Sequence, residues 1–230
     1  MGSPDWTQFA DVASVDVETA TASEASICQV GVATVDGRGQ ITVNTWLVQP
    51  PGNRYEAKNI GIHGITPEET ADEPTFDVIW PEVCAVLGQR QLIAHNSEFD
   101  RQCLAATLRL YGIVWKQPRW GCTLRMAHLL LPRRTQPYRL TALCESYGVH
   151  RGKQHDAGDD AAAALQLAAL PLAADGDGDL KRLIDRSNRG WQSRRETANR
   201  RVASMSTDPA TERQLAYLSD LLAERAYPCR

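Results

Sequence analysis

The alternation of apolar and polar positions divides the first half of the chain into strands before any helix. FADVASVDVE (9–18) is mostly small and apolar on both faces, as a strand in the middle of a sheet should be. SICQVGVATVDGRGQITVNTWLV (26–48) reads as two strands joined by a turn at Asp36-Gly37-Arg38-Gly39, so three strands form a meander. Residues 50–75, with Pro50-Pro51, GIHGIT and Pro67, read as loop. A helix is expected over 76–88, a short buried strand in QLIAH (91–95), and a helix from Ser97 to Tyr111 with Leu104, Leu108 and Tyr111 on one face. A strand near 119–123 and helices near 123–131 and 139–149 follow, then a helix starting near Asp156. Strands first, then strands alternating with helices, predict an α/β layer fold with a mixed central sheet of about five strands flanked by helices.

The pattern changes after Pro171. ADGDGD (174–179) reads as a linker, and residues 181–201 carry eight Lys/Arg. Thr211 and Gln214 then make a capping box for a last helix whose apolar stripe is Leu215, Leu218 and Leu222. The expected organisation is a domain over 8–172, a basic linker or arm over 173–210, and a C-terminal helix over 211–230 that docks or belongs to an incomplete domain. Charge follows the same division. Residues 1–180 hold 14 Lys/Arg against 22 Asp/Glu, and residues 181–230 hold 11 against 6. An acidic body with a basic arm suits metal and nucleic acid, although arginine-rich linkers are also often only solvated chain. The remaining composition, 43% hydrophobic and 23% charged, is that of a soluble globular protein. No basic start followed by an apolar segment marks a signal peptide, and the alanine-rich run 161–174 holds Gln166 and Pro171, so no membrane partner is expected. Six scattered cysteines without a CxxC pair read as free thiols of a reducing, cytoplasmic protein.

Candidate chemistry lies in three acidic stretches. HDAGDDA (155–161) puts one histidine and three carboxylates directly before AAAALQLAAL. Asp156, Asp159 and Asp160 would suit a helix N-terminus in any protein, so the stretch alone does not decide. In VDVET, residues i and i+2 of a strand point the same way, so Asp16 and Glu18 project together. Two carboxylates at the end of a central strand are costly unless a cation neutralises them or the strand emerges into solvent at Asp16; for a cation, oxygen ligands select magnesium or manganese over zinc. AHNSEFD (94–100) places Asp100 three residues beyond Ser97, where it is either a further carboxylate of the cluster or part of a capping box. Helix phase separates the neighbouring aspartates. Asp160 shares its face with Ala157, Ala161, Ala164 and Ala168, which pack on a sheet, whereas Asp159 falls with Ala163 and Gln166 toward solvent. His155 must lie on the loop before the helix, placed for general-base work near metal-activated water.

VDVET, AHNSEFD and HDAGDDA, in that order and with SICQVG and GIHGIT beside them, resemble the DEDDh 3′–5′ exonucleases of the ribonuclease H-like superfamily, the group containing the proofreading epsilon subunit of bacterial DNA polymerase III. The resemblance covers roughly residues 8–172. It implies a ribonuclease H-like fold and two magnesium or manganese ions held by Asp16, Glu18, Asp100 and Asp160, with His155 deprotonating the attacking water. It also implies that His63 and Ile65 contact the terminal nucleotide and that Thr19 and Asn96 help place the 3′ end. One departure is Cys122, where the family commonly has an aspartate; no metal ligand is lost by it. The implied activity is release of 5′-mononucleotides from DNA 3′ ends by two-metal hydrolysis. Single-stranded DNA is favoured over RNA as the partner, in a polymerase or repair complex. Two alternatives are RNA 3′-end trimming of the oligoribonuclease kind and a nucleic-acid-binding, polymerase-associated module with a vestigial site.

Overall fold

A computed structural model describes residues 6–131, 138–175 and 179–203. Five strands form one sheet: β1 (Val12–Thr19), β2 (Ile27–Val35), β3 (Ile41–Leu47), β4 (Gln91–Ala94) and β5 (Trp120–Cys122). Their spatial order is β3-β2-β1-β4-β5. The meander β1–β2–β3 is antiparallel, and β4 and β5 add in parallel on the other side of β1. β1 is therefore the central strand, and the mixed α/β architecture is the one the strand and helix pattern predicts. The turn between β2 and β3 is held by Asp36, whose Oδ1 accepts the N–H groups of Arg38 and Gln40 at 2.8 Å.

Period-2 alternation on β1 sorts the two cores. Ala13, Val15 and Val17 face one layer, where Phe76, Ile79, Trp80, Val83 and Leu87 of α2 (Phe76–Leu87) and Cys103, Leu104 and Leu108 of α3 (Glu98–Leu110) cover the sheet. Val12 faces the other, with Met126 of α4 (Thr123–Leu130) and Ala161, Leu165 and Ala168 of α6 (Ala157–Asp175). Asp16 and Glu18 are in phase with Val12, so they point into the α6 layer. A fifth helix, α5 (Leu140–Tyr147), lies against α6. The five described cysteines are free.

Two segments differ from the sequence reading. Within the expected loop 50–75, α1 (Ala57–His63) forms a short helix closed by Gly64 at φ 79°. Its buried residues are Asn59 and His63, held by hydrogen bonds rather than by apolar periodicity, so the pattern could not show it. The expected linker and arm contain α7 (Leu180–Ala203). Leu180, Leu183 and Ile184 are buried in the α6 layer, and Ser187 continues their face. That i, i+3, i+4, i+7 spacing is a helix-docking stripe that the surrounding arginines obscured. The chain divides into a body, residues 1–188, and a second unit from Arg189 onward. The capping box at Thr211 and the helix expected over 211–230 lie outside the described residues.

Candidate active site

The site forms where α6 starts against the centre of the sheet, and two glycines allow that approach. Gly31 of β2 is the register partner of Asp16. A Cβ built there would lie 2.0 Å from the Ala157 carbonyl oxygen and 2.4 Å from the Gly158 nitrogen. Gly158 lies as close to β3, its Cβ position 2.1 Å from Thr45 Oγ1. Gln29 of β2, opposite Glu18, fastens the same turn. Its Oε1 accepts the Ala157 N–H at 2.9 Å, and its Nε2 donates to Asp156 Oδ2 at 2.9 Å. Asp156 caps the helix through Oδ1, which accepts the Gly158 and Asp159 N–H groups. Asp159 turns away and accepts the Lys153 N–H at 2.6 Å. Asp160, 5% exposed, is the aspartate directed inward.

Asp100 enters from the first turn of α3. β4 pairs with β1 only as far as Ser14↔Ile93, so the β1 edge beyond has backbone groups to satisfy. Asp100 Oδ1 accepts the Val17 N–H at 3.2 Å. Ser97 makes no side-chain cap, so the capping-box alternative for Asp100 is not what the structure shows. Asp16, Glu18, Asp100 and Asp160 thus converge at the carboxyl end of β1, beside the point where the strand's neighbours switch from antiparallel to parallel. Burial, then the charges of Asp100, Asp160 and Glu18, push the Asp16 pKa well above the ordinary carboxylate value. Glu18 is raised well above its own for the same kind of reason. Burial raises Asp100 to about 8 and Asp160 to about 6, the latter against the opposing charge and hydrogen bonds of Arg151. Arg151 forks onto Asp160, Nε to Oδ1 at 2.7 Å and Nη2 to Oδ2 at 2.8 Å.

His155 sits at φ 57°, a left-handed conformation uncommon for a residue with a Cβ, immediately before the helix cap. Burial and then the Arg151 charge push its pKa below the ordinary histidine value, which favours the neutral, proton-accepting ring. Glu18, His155 and Asp160 each offer a donor atom, and these atoms lie within 4.8 Å of one another. Carboxylates crowded in one place beside a histidine, with pKa values raised first by burial and then by one another's charges, fit a divalent cation, which would offset both.

The expected nucleotide contacts fare differently. Asn96 is half-buried at φ 69°, in the turn between β4 and α3. Thr19, His63 and Ile65 are buried. His63 Nδ1 accepts the Ile65 N–H at 2.9 Å, so Nε2 carries the hydrogen and donates to the Thr19 carbonyl at 3.2 Å. Asn59 donates to the same carbonyl at 2.8 Å. His63 therefore has no free nitrogen for a nucleotide; it fixes the end of β1 next to Glu18, leaving apolar contact as what it and Ile65 can offer. Sequence reasoning missed Gln29 and Arg151. A glutamine inside a strand buried at every position was a usable signal, because its amide must find partners. Arg151 is nine residues before Asp160, a spacing that marks nothing in a loop.

Comparison with known proteins agrees with this geometry. The model of the RNase T exonuclease family matches residues 14–168. A Mycobacterium tuberculosis protein whose name carries both exonuclease and endonuclease is 32% identical over 162 residues, 66% of this chain and 25% of that protein. The DNA polymerase III epsilon subunit of Treponema pallidum is 30% identical over 165 residues, 69% of this chain and 74% of the subunit. The chain spans a quarter of the mycobacterial relative and a tenth of a PolC-type DNA polymerase III of Thermotoga maritima that it also matches. Among solved structures, exonuclease X in complex with 5′-overhanging duplex DNA superposes with a TM-score of 0.59 at 23% identity, covering 76% of this chain and 99% of that one. The nuclease domain of 3′hExo, a DEDDh family member bound to rAMP, superposes with a TM-score of 0.60 at 20% identity, covering 73% and 93%. The chain belongs to the RNase T exonuclease family and is a DEDDh exonuclease of the ribonuclease H-like fold.

Proposed function

We propose that this nuclease removes nucleotides one at a time from DNA 3′ ends, releasing 5′-mononucleotides with two magnesium or manganese ions. The observation that carries the reading is the convergence of Asp16, Glu18, Asp100 and Asp160 with His155 beside them. In this reading Asp16, Glu18, Asp100 and Asp160 would hold the ions between them. Divalent ions bound there supply the charge neutralisation that an anionic phosphodiester needs before water can attack it. His155, held neutral-leaning on its loop, accepts the water proton. Asn96, half-buried in the β4–α3 turn, and Thr19 position the terminal sugar, and Ile65 and His63 form an apolar rest for it. The name of the Treponema relative, DNA polymerase III subunit epsilon, favours DNA and a polymerase-bound setting. RNA trimming is the second reading, favoured by the rAMP-bound neighbour. No helix of the described residues is long and apolar enough to cross a membrane, and we place the enzyme in the cytoplasm on its free cysteines.

The test uses matched DNA and RNA oligomers labelled at the 5′ end, with magnesium and with manganese. Stepwise shortening from the 3′ end with 5′-mononucleotide product, faster on DNA, is expected. Early internal cuts would remove the exonuclease polarity, and faster loss of RNA would replace DNA with RNA as substrate.

A further inference from the structure

We infer that Arg151 is a positioning residue for the Asp160 carboxylate, holding it in the orientation in which it can bind a divalent cation. The inference rests on the reading of Asp160 as a metal ligand. Both side chains are nearly closed to solvent, 9% exposed for Arg151 and 6% for Asp160. The guanidinium uses its whole donor edge. Nε donates to Oδ1 of Asp160 and Nη2 lies within reach of both carboxylate oxygens, 2.6 Å from Oδ1 and 2.8 Å from Oδ2, while Nη1 donates to Thr141 Oγ1 on α5 at 2.6 Å. Arg151 thereby ties the carboxylate to a second helix and fixes both its position along α6 and its plane. A planar fork does this where an ammonium could not, because it sets an angle as well as a distance.

The arrangement differs from a structural ion pair in where the acid still points. A carboxylate has about four lone-pair sites, more than the three Arg151 contacts occupy. An Asp160 oxygen nevertheless lies within 4.8 Å of donor atoms of Glu18 and His155. The pair therefore leaves Asp160 facing the cluster instead of drawing it away. Arg151 also opposes the repulsion that Asp16 and Glu18 feel from their neighbours, so the ligand set can be assembled close together. Groups that hydrogen-bond a ligating carboxylate commonly change metal affinity about 10–100-fold when removed.

The experiment measures manganese binding by calorimetry on the full chain, with no nucleic acid present, beside thermal denaturation of each variant. Arg151→Met is expected to fold and to bind manganese about 10–100-fold more weakly than wild type. Arg151→Lys, which keeps the charge and loses the fork, is expected to stay closer to Arg151→Met than to wild type. Thr141→Val should weaken binding in the same direction and by less. A merely structural pair would lower the melting temperature and leave manganese affinity where it was. Equal or tighter binding by a folded Arg151→Met overturns the inference, tighter binding showing that the arginine competes with the ion. If Arg151→Met does not fold, Arg151→Lys decides by the same criterion. A wild-type chain that binds no manganese overturns the metal reading itself, which is a different result from a wild type that binds and variants that bind equally.

Discussion

Replacing Gly31 with alanine tests how the site is assembled, because one methyl group falls on the contact that brings α6 to the sheet. The added Cβ would stand 2.0 Å from the Ala157 carbonyl oxygen, where ordinary contact begins at 3.4 Å, so the helix start must retreat by about 1.4 Å. Nothing at the contact can rotate out of the way, since all three nearest atoms are backbone. Overpacking a core costs about 1–3 kcal/mol, and a backbone obstacle places this substitution near the upper end, about 3 kcal/mol. For a chain of this size that lowers the melting temperature by roughly 6–12 °C. The retreat also breaks the Gln29–Ala157 hydrogen bond and carries Asp160 and His155 away from Asp16 and Glu18. A 1 Å misplacement of reacting groups costs about 10²-fold in rate, so at least that loss is expected. The assay is single-turnover release of the terminal nucleotide with magnesium, alongside thermal denaturation. Gly158→Ala provides the contrast, because its obstacle is the Thr45 side chain. Adding Thr45→Ala should recover most of the stability lost in Gly158→Ala, whereas no single side-chain truncation should rescue Gly31→Ala. A Gly31→Ala chain that melts with the wild type and cleaves at its rate would refute the close approach as the organising contact.

Asp160→Asn should be nearly inactive, and Asp159→Asn should keep most of the activity, because Asp159 turns to the Lys153 N–H instead of into the site; equal losses in single-turnover rate would contradict the assignment. His95 is half-buried, with Nε2 donating to the Tyr138 carbonyl and Nδ1 accepting from Thr123, and desolvation pushes its pKa down to about 4. Its folded pKa lies below the unfolded value of 6.5, so its contribution is present above pH 6.5 and is lost as pH falls toward 4. That loss is on the order of 3 kcal/mol and is read as the difference between wild type and His95→Gln in urea denaturation across that range, because the raised carboxylates of the site change stability in the opposite direction in both chains. Truncation after Asn188 removes the basic tail while leaving Leu180, Leu183 and Ile184 in the core. If the tail holds substrate, the shortened chain binds long single strands more weakly, with a salt slope shallower by roughly 0.7 per lost phosphate contact; an unchanged slope would leave it a tether without contacts.

Much of this architecture was legible because it obeys short periods. Alternation on 9–18 and 26–48 located the three antiparallel strands, and the same period 2 put Asp16 and Glu18 on one face. Helix phase distinguished Asp160 from Asp159 because the small residues on one side of α6 had to lie on the sheet. The readings that failed involved polar residues whose partners are far away in sequence. α1 is specified by Asn59 and His63 reaching back to Thr19, some 40 residues earlier, and no local pattern carries that information. Nor could a local pattern show that both ring nitrogens of His63 are engaged within the protein, which leaves the face of its ring for the expected nucleotide contact. The docking face of α7 was present in the sequence as Leu180, Leu183, Ile184 and Ser187, but the charge of its neighbours drew the reading toward a linker. Gln29, Gly31 and Arg151 act through contacts between layers, which become visible only when α6 is laid over β2.

The central claim is that the carboxylates on β1, α3 and α6 form a divalent-metal nuclease centre, and Asp16 is where it is most exposed to test. The measurement is magnesium-dependent mononucleotide release from a single-stranded DNA by wild type and Asp16→Ala, purified identically and matched by circular dichroism. Wild type should release mononucleotides only with the metal. Asp16→Ala should fold, with metal-free stability equal to or above wild type because one of the crowded carboxylates has been removed, and should release none. A folded Asp16→Ala chain that cleaves near the wild-type rate would contradict the account.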